Sequence, residues 1–322
     1  MSNPKFTMPS AIRQSPTSVP LRAGELSLAR RSGDDVSRPV EGSAQDEVRS
    51  SAPPSVLRPP SSGTARRVNF LGCPLDLLTS ATLLEELSQA IDHRAGPRVI
   101  QFVNANKVAQ VREDADMERI MWRADYALAD GQPLLPMARM LGLRIPERID
   151  GIGLMGKVLA LAHERGYSVF LLGAKQHVVK ACVRKIQRDF PNARIAGYRN
   201  GYFKGPELAD VVRQVATARP DILFLGMGSP MKEQFADQYA GELGAAVIQG
   251  VGGSFDVMAG IVKRAPVWVQ RLGFEWAYRI LQEPRRMFWR YLKTNAQCLI
   301  VFVRALVSPA KSSRGPIPRI PA

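Results

Sequence analysis

Cysteine and histidine are scarce in this 322-residue chain, with three of each. The cysteines (Cys73, Cys182 and Cys298) are odd in number and far apart. That spacing excludes a disulfide framework and a CxxC metal site, and it points to a reducing cytoplasm. His93, His163 and His177 do not fall at ligand spacing, so none is expected to hold zinc. No run of about 18 apolar residues occurs, so no membrane-spanning helix is expected. The N-terminus lacks the apolar stretch of a secretory signal, and none is expected. Acidic residues are outnumbered, 29 against 44 Lys and Arg, which leaves a net charge of +15. The excess is concentrated: residues 261–322 hold twelve Lys or Arg and two acidic residues, a net of +10. Such a tail suits anionic lipid or nucleic acid, and solubility alone would also explain it.

Hydrophobic residues make up 45% of the chain, enough for a substantial core. Residues 1–65 carry nine prolines with almost no apolar periodicity, and read as a disordered tail with no catalytic role. Order is expected from about residue 66. Val68–Leu71 reads as a strand, and Thr79 or Ser80 caps a helix with a Leu83, Leu84, Leu87, Ala90, Ile91 stripe. Val99–Val103 reads as a second strand, followed by one helix to about Met121. Short strands then alternate with helices: 127–129, 169–172, 195–197, 222–225 and 247–249 are strands, each leading into a helix or a glycine loop. This alternation predicts an α/β core over 66–262 with a largely parallel sheet. In such sheets ligands gather beyond the carboxyl ends of the strands. Asn104, Asp130, Gly173, Gly228 and Gly252 all follow strand ends, so one crevice is expected to collect them. Residues 263–307 form a basic helical appendage with Pro266 and Pro284 as breaks, and 308–322 read as a second disordered tail. The Cys298–Val303 run is too short to span a bilayer but suits interfacial burial.

Two motif matches carry little. Gly151-Ile152-Gly153-Leu154-Met155-Gly156 fits the dinucleotide pattern letter for letter, but a proline-containing charged stretch stands where a buried strand is required. A turn opening a helix is the better reading. Asp114-Ala115-Asp116 has the form of a metal clamp, yet lies in a predicted helix beside Arg112, Glu118 and Arg119, as a solvated charged face does. No metal site and no cofactor are expected. Asp130 reads equally as a turn aspartate and as a general base at the crevice mouth, where partial burial would raise its basicity. Ser254, Lys232, Lys263 and Arg264, grouped around glycine turns, suit a departing diphosphate.

The order of motifs resembles the WecG/TagA/CpsF family of bacterial glycosyltransferases. Phe102-Val103-Asn104-Ala105-Asn106, Ala129-Asp130-Gly131, Glu147-Arg148 and Gly226-Met227-Gly228-Ser229-Pro230 carry it. The most specific piece is Gly250-Val251-Gly252-Gly253-Ser254-Phe255-Asp256, with its continuation through Lys263-Arg264-Ala265-Pro266 and Glu283-Pro284-Arg285-Arg286. The resemblance covers about Val68 to Leu292. It implies a Rossmann-like sheet with helices on both faces and a C-terminal membrane-binding appendage. It also implies a metal-independent, inverting transfer from a UDP-sugar to an undecaprenyl-diphosphate-linked sugar. The catalytic aspartate falls on Asp130, the polar pair on Asn104 and Asn106, and the active-site arginine on Arg148. The appendage arginines fall on Arg279 and Arg286, with Arg285 and Arg290 beside them. Gly131, Gly173, Gly228, Ser229, Gly252, Gly253, Ser254 and Asp256 complete the expected substrate-binding set.

Two departures accompany the resemblance. Asn104 stands where a threonine is usual, and Lys232 where a glutamine is usual. The second favours the exopolysaccharide branch and a glucose donor. N-acetylmannosamine or its uronic acid is the alternative, and a basic nucleic-acid-binding protein or a nicotinamide oxidoreductase are the rivals from other classes. The expected site of action is the cytoplasmic face of the inner membrane, peripherally bound to its anionic surface without nucleic acid; a homo-oligomer stays open.

Overall fold

The computed structural model describes residues 66–307 except 204, 267, 270–274 and 283; the side chains at 66, 276, 279 and 284–291 also lie outside the description. The two expected tails, 1–65 and 308–322, fall outside the described residues.

A hairpin opens the chain. Strands β1 (Arg66–Phe70) and β2 (Cys73–Leu77) pair antiparallel. Leu71 and Gly72 both have positive φ, 55° and 94°, as a tight two-residue hairpin turn requires. The expected strand through Leu71 therefore ends one residue early, and β2 is an addition hidden by its Pro74. Arg67 donates to both oxygens of buried Asp76 at 2.8 and 2.7 Å, and to the Ala124 and Asp125 carbonyls. Asp76 in turn accepts from the Ala127 amide at 2.7 Å. The hairpin is thereby fixed to the strand that leads to Asp130.

The main sheet has six strands in the order β4-β3-β8-β7-β5-β6. They are β3 (Arg98–Val103), β4 (Tyr126–Ala129), β5 (Ser168–Gly173), β6 (Arg194–Arg199), β7 (Ile222–Gly226) and β8 (Val247–Gly250). Every pairing in it is parallel. The central strands β7 and β8 are buried nearly along their whole length because helices cover both faces, with Gln249 a polar exception on β8. Alternate residues point to opposite sides. Leu171, Phe224 and Val247 join one core with α1 (Ser80–Asp92), α5 (Gly151–Arg165) and α6 (Gln176–Asp189). Leu172, Leu223 and Ile248 join another with α7 (Gly205–Ala218) and α8 (Met231–Tyr239).

A third core joins the hairpin, the ends of β3 and β4, α2 (Ala105–Glu113), α3 (Ala115–Arg123) and α4 (Leu134–Met140) to the terminal helix Pro284–Val307. That helix buries Cys298, Phe302 and Ala305 there. The single helix expected up to Met121 is two. Asp114 breaks out to extended backbone and caps α3 by accepting from the Asp116 and Met117 amides. Its neighbour Asp116 pairs with Arg119 at the surface, so both aspartates of the clamp-like motif have local partners. Gly151 begins α5, capped by Asp150, which is the turn-and-helix reading of the dinucleotide-like stretch. In the appendage a short helix, Glu275–Gln282, precedes the terminal one, Pro284–Val307.

One glycine is essential to the sheet edge. Gly173 closes β5 with φ 146°, and an added Cβ would stand 2.4 Å from the Gly226 carbonyl carbon on β7. Gly173→Ala is expected to cost about 2–4 kcal/mol through backbone strain and overpacking, read as a lower urea midpoint. An unchanged midpoint would contradict this account of the edge.

Candidate active site

A parallel sheet brings all its strand C-termini to one edge. There a cavity of about 390 Å³ is lined from four successive strands: Asn104 after β3, Asp130 after β4, Met227 and Gly228 after β7, and Gly250–Gly253 at β8. That size suits a small-molecule ligand. Asn106, Gly131, Arg148, Ser229, Lys232 and Ser254 also line it. Gly173 and Asp256 do not; Gly173 shapes the edge, and the Asp256 carbonyl accepts from the Ile261 and Val262 amides. Lys263 is exposed, and its backbone bonds to Gln282. Arg279, Arg285, Arg286 and Arg290 lie in the two appendage helices, with their side chains outside the described ones.

Asp130 sits half-buried at one end of the cavity. Burial pushes its carboxyl up from the usual range, the nearby Asp150 carboxylate adds to the effect, and a hydrogen bond from Asn104 and the charge of Arg148 oppose it. Asn104 has two tasks. Its carbonyl oxygen caps α2 by accepting from the Lys107 amide at 3.1 Å, which directs its NH₂ to other partners such as Asp130. Arg148 donates to the Asp130 carbonyl oxygen and, at 3.5 Å, to Asp150. Such a carboxylate has the properties of a general base: accessible, fixed and more basic than a surface aspartate.

Asp150 is the junction between core and appendage. It caps α5 through the Gly153 amide at 2.8 Å and accepts from Arg264 at 2.9 Å. Arg264 also reaches Glu275 of the short appendage helix at 3.4 Å. Glu275 lines the cavity, as do Thr294 and Asn295 of the terminal helix. The appendage is therefore part of the cavity wall.

The opposite end is cationic. Lys107 and Glu233 are 3% and 0% exposed and pair at 2.7 Å. Lys232 binds the same Glu233 oxygen. Burial lowers Lys107 to about 8 despite its partner. Burial alone would raise Glu233, but Lys232 and Lys107 overcome it and hold it at about 2. Two lysines on one carboxylate leave a net positive charge beside the glycine turns. The stem of Lys232 lies across Gly250, where a Cβ would stand 3.2 Å from its Cδ.

Sequence reasoning missed Asp150, Glu275, Lys107, Glu233, Thr294 and Asn295. Asp150 carried a signal, an aspartate three residues before an amide at a helix start. Lys107 carried none, since it stands among the buried Val108, Ala109 and Val111 of α2.

With this geometry in place, comparisons with known proteins are informative. The profile of the "Glycosyl transferase WecG/TagA/CpsF family" matches residues 68–312. A protein of Bacillus subtilis (strain 168) is 38% identical over 201 residues, which is 62% of this chain and 76% of the relative. One from Staphylococcus aureus (strain MW2) is 32% identical over 237 residues, 70% and 88% respectively. Both are N-acetylglucosaminyldiphosphoundecaprenol N-acetyl-beta-D-mannosaminyltransferases. Neither name supports the glucose donor expected from the exopolysaccharide branch.

The raised Asp130 has a consequence for stability. The folded state keeps this proton more readily than the unfolded chain, whose aspartate titrates near ~3.9. The stabilisation is full below that value and is lost as pH rises through the folded pKa. Asp130→Asn is therefore expected to gain in melting temperature over wild type as pH rises from about 4 to about 8. A variant that loses ground over that range would contradict the reading of its environment.

Proposed function

The chain belongs to the WecG/TagA/CpsF family of glycosyltransferases, and from that premise we propose that it transfers N-acetylmannosamine from a UDP-sugar to an N-acetylglucosaminyl-diphosphoundecaprenol acceptor. The observation that carries the reading is the polarity of the cavity: a raised carboxylate at one end and a lysine-backed pair of glycine turns at the other. The names of the relatives supply the sugars. This reading replaces glucose.

The chemistry follows from that polarity. Asp130 takes the proton of an acceptor hydroxyl. The oxygen forms a bond to the anomeric carbon of the donor while the bond from that carbon to the diphosphate breaks on the opposite face, so the configuration inverts. The electron pair leaves with UDP. The turns that follow β7 and β8, with Lys232, meet the departing charge through amides other than those of Val251 and Gly252, which the Leu225 carbonyl takes; side-chain cations serve in place of a divalent ion. Arg148 orders the base end. The appendage walls the cavity through Glu275, Thr294 and Asn295, which keeps water from the donor.

The acceptor is lipid-linked, and the terminal helix supports contact with a bilayer. Leu292, Leu299, Ile300, Val303, Leu306 and Val307 are exposed along it, while Cys298, Phe302 and Ala305 hold its other side to the core. No helix among the described residues is long and apolar enough to cross a membrane. An exposed apolar stripe on a basic segment fits interfacial binding at an anionic surface instead.

A panel of UDP-sugars incubated with the protein and the lipid-linked N-acetylglucosamine acceptor tests the proposal. UDP-N-acetylmannosamine is expected to give product at least about tenfold faster than UDP-glucose, since a site shaped for an acetamido group discriminates strongly against its loss. Faster transfer of glucose would restore the exopolysaccharide reading.

A further inference from the structure

The lysine–glutamate cluster at the cationic end has an uneven bond pattern. Lys107 is fully engaged: its ammonium donates to Glu233, to Gln110 Oε1 at 2.8 Å and to Ser229 Oγ at 2.6 Å. Ser229 also bonds Gln110, so Lys107 is fixed between α2 and the β7 turn. Lys232 differs. Its hydrogen bond goes to the Glu233 oxygen that Lys107 already occupies, and its stem crosses the glycine turn to line the cavity. The second oxygen, Glu233 Oε2, is buried and makes no hydrogen bond among the described residues. One oxygen thus carries two cations and its neighbour none.

Charge balance gives the arrangement a direction. Glu233 needs one cation to remain buried as a carboxylate, because an unpaired buried charge is strongly unfavourable. Lys107 supplies that cation from a fixed position. Lys232 is therefore the surplus charge, and it lies beside the turns that face an entering diphosphate. We propose that Glu233 is a holding carboxylate for Lys232, and that Lys107 sets the strength of the hold. On donor entry Lys232 moves from Glu233 to the diphosphate, and Lys107 remains to neutralise the carboxylate. Lys107 and Glu233 are thus positioning residues that tune donor affinity without touching the donor. This rests on the reading of the cavity as a UDP-sugar site.

The device predicts effects of opposite sign from neighbouring substitutions. With Lys107→Met, Glu233 has Lys232 as its only cation and retains it, so UDP is expected to bind about tenfold more weakly, the scale of one charge-assisted hydrogen bond. Glu233→Gln releases Lys232 and is expected to tighten UDP. The double variant is expected to match Glu233→Gln to within about threefold, because Lys107 has no role once the carboxylate is gone. Lys232→Met is expected to weaken UDP about tenfold by removing the mobile cation itself.

Calorimetric titration of UDP into the full-length protein and these variants, with circular dichroism to establish folding, makes the test. Should Lys107→Met not fold, the comparison of Glu233→Gln with the double variant decides: equal affinity supports the holding role. A double variant as weak as about tenfold below Glu233→Gln would make Lys107 a direct diphosphate ligand and overturn the proposal. So would a folded Lys107→Met that binds UDP as wild type does. Wild-type protein that does not bind UDP at all would instead remove the donor reading, and the inference with it.

Discussion

All six strands of the main sheet run in one direction, and the site depends on that constraint. Parallel pairing places every strand C-terminus at one edge, where the backbone leaves the sheet and a ligand can be met. The strand order β4-β3-β8-β7 then sets the cavity's long axis. Asp130 leaves β4, Asn104 leaves β3, and the glycine turns leave β8 and β7. The distance between Asp130 and the glycine turns is thus a matter of strand spacing rather than of side-chain reach. The Arg67–Asp76 pair extends the same logic, since it anchors the hairpin to β4 and fixes the strand that leads to Asp130.

Electrostatics divide the cavity along this axis. Asp130, Asp150 and Glu275 are gathered near one end, and Asp150 is bracketed by Arg148 and Arg264. Burial first, and the neighbouring carboxylates after it, raise the Asp130 carboxyl, while Asn104 and Arg148 oppose the shift. At the other end the lysines outnumber their glutamate. The proposed acceptor deprotonation and diphosphate departure would draw on these opposite environments. The appendage joins the acidic end through Glu275 and Arg264, whose ion pairs reach Asp150, the carboxylate beside Asp130.

The strands, their glycine turns and the positions of Asn104, Asp130 and Lys232 were legible because local pattern determines them. Asn104, Asp130, Gly173 and Gly226 stand where β3, β4, β5 and β7 leave the sheet, each after apolar residues. The β1–β2 hairpin was not legible, because Pro74 masks a strand and the turn rests on a leucine with positive φ. Asp114 hid a helix break inside a charged stretch that reads as continuous. The ion-pair chain was beyond local pattern altogether: Asp150 and Arg264 are 114 residues apart, and only the folded appendage brings them together. Gly173 and Asp256 illustrate the converse. A glycine at a strand end does not have to face a ligand, and Gly173 instead makes room for the neighbouring strand.

The central claim is that Asp130 removes the acceptor proton while the cationic end receives the diphosphate. It is tested most directly by the transfer rate of Asp130→Asn at saturating donor and lipid-linked acceptor, measured together with UDP affinity. An amide of the same shape cannot take the proton at neutral pH. The account predicts a rate lower by about 10²–10⁴-fold with UDP affinity unchanged. Transfer within about threefold of wild type would contradict it, and would move the base to another group lining the cavity.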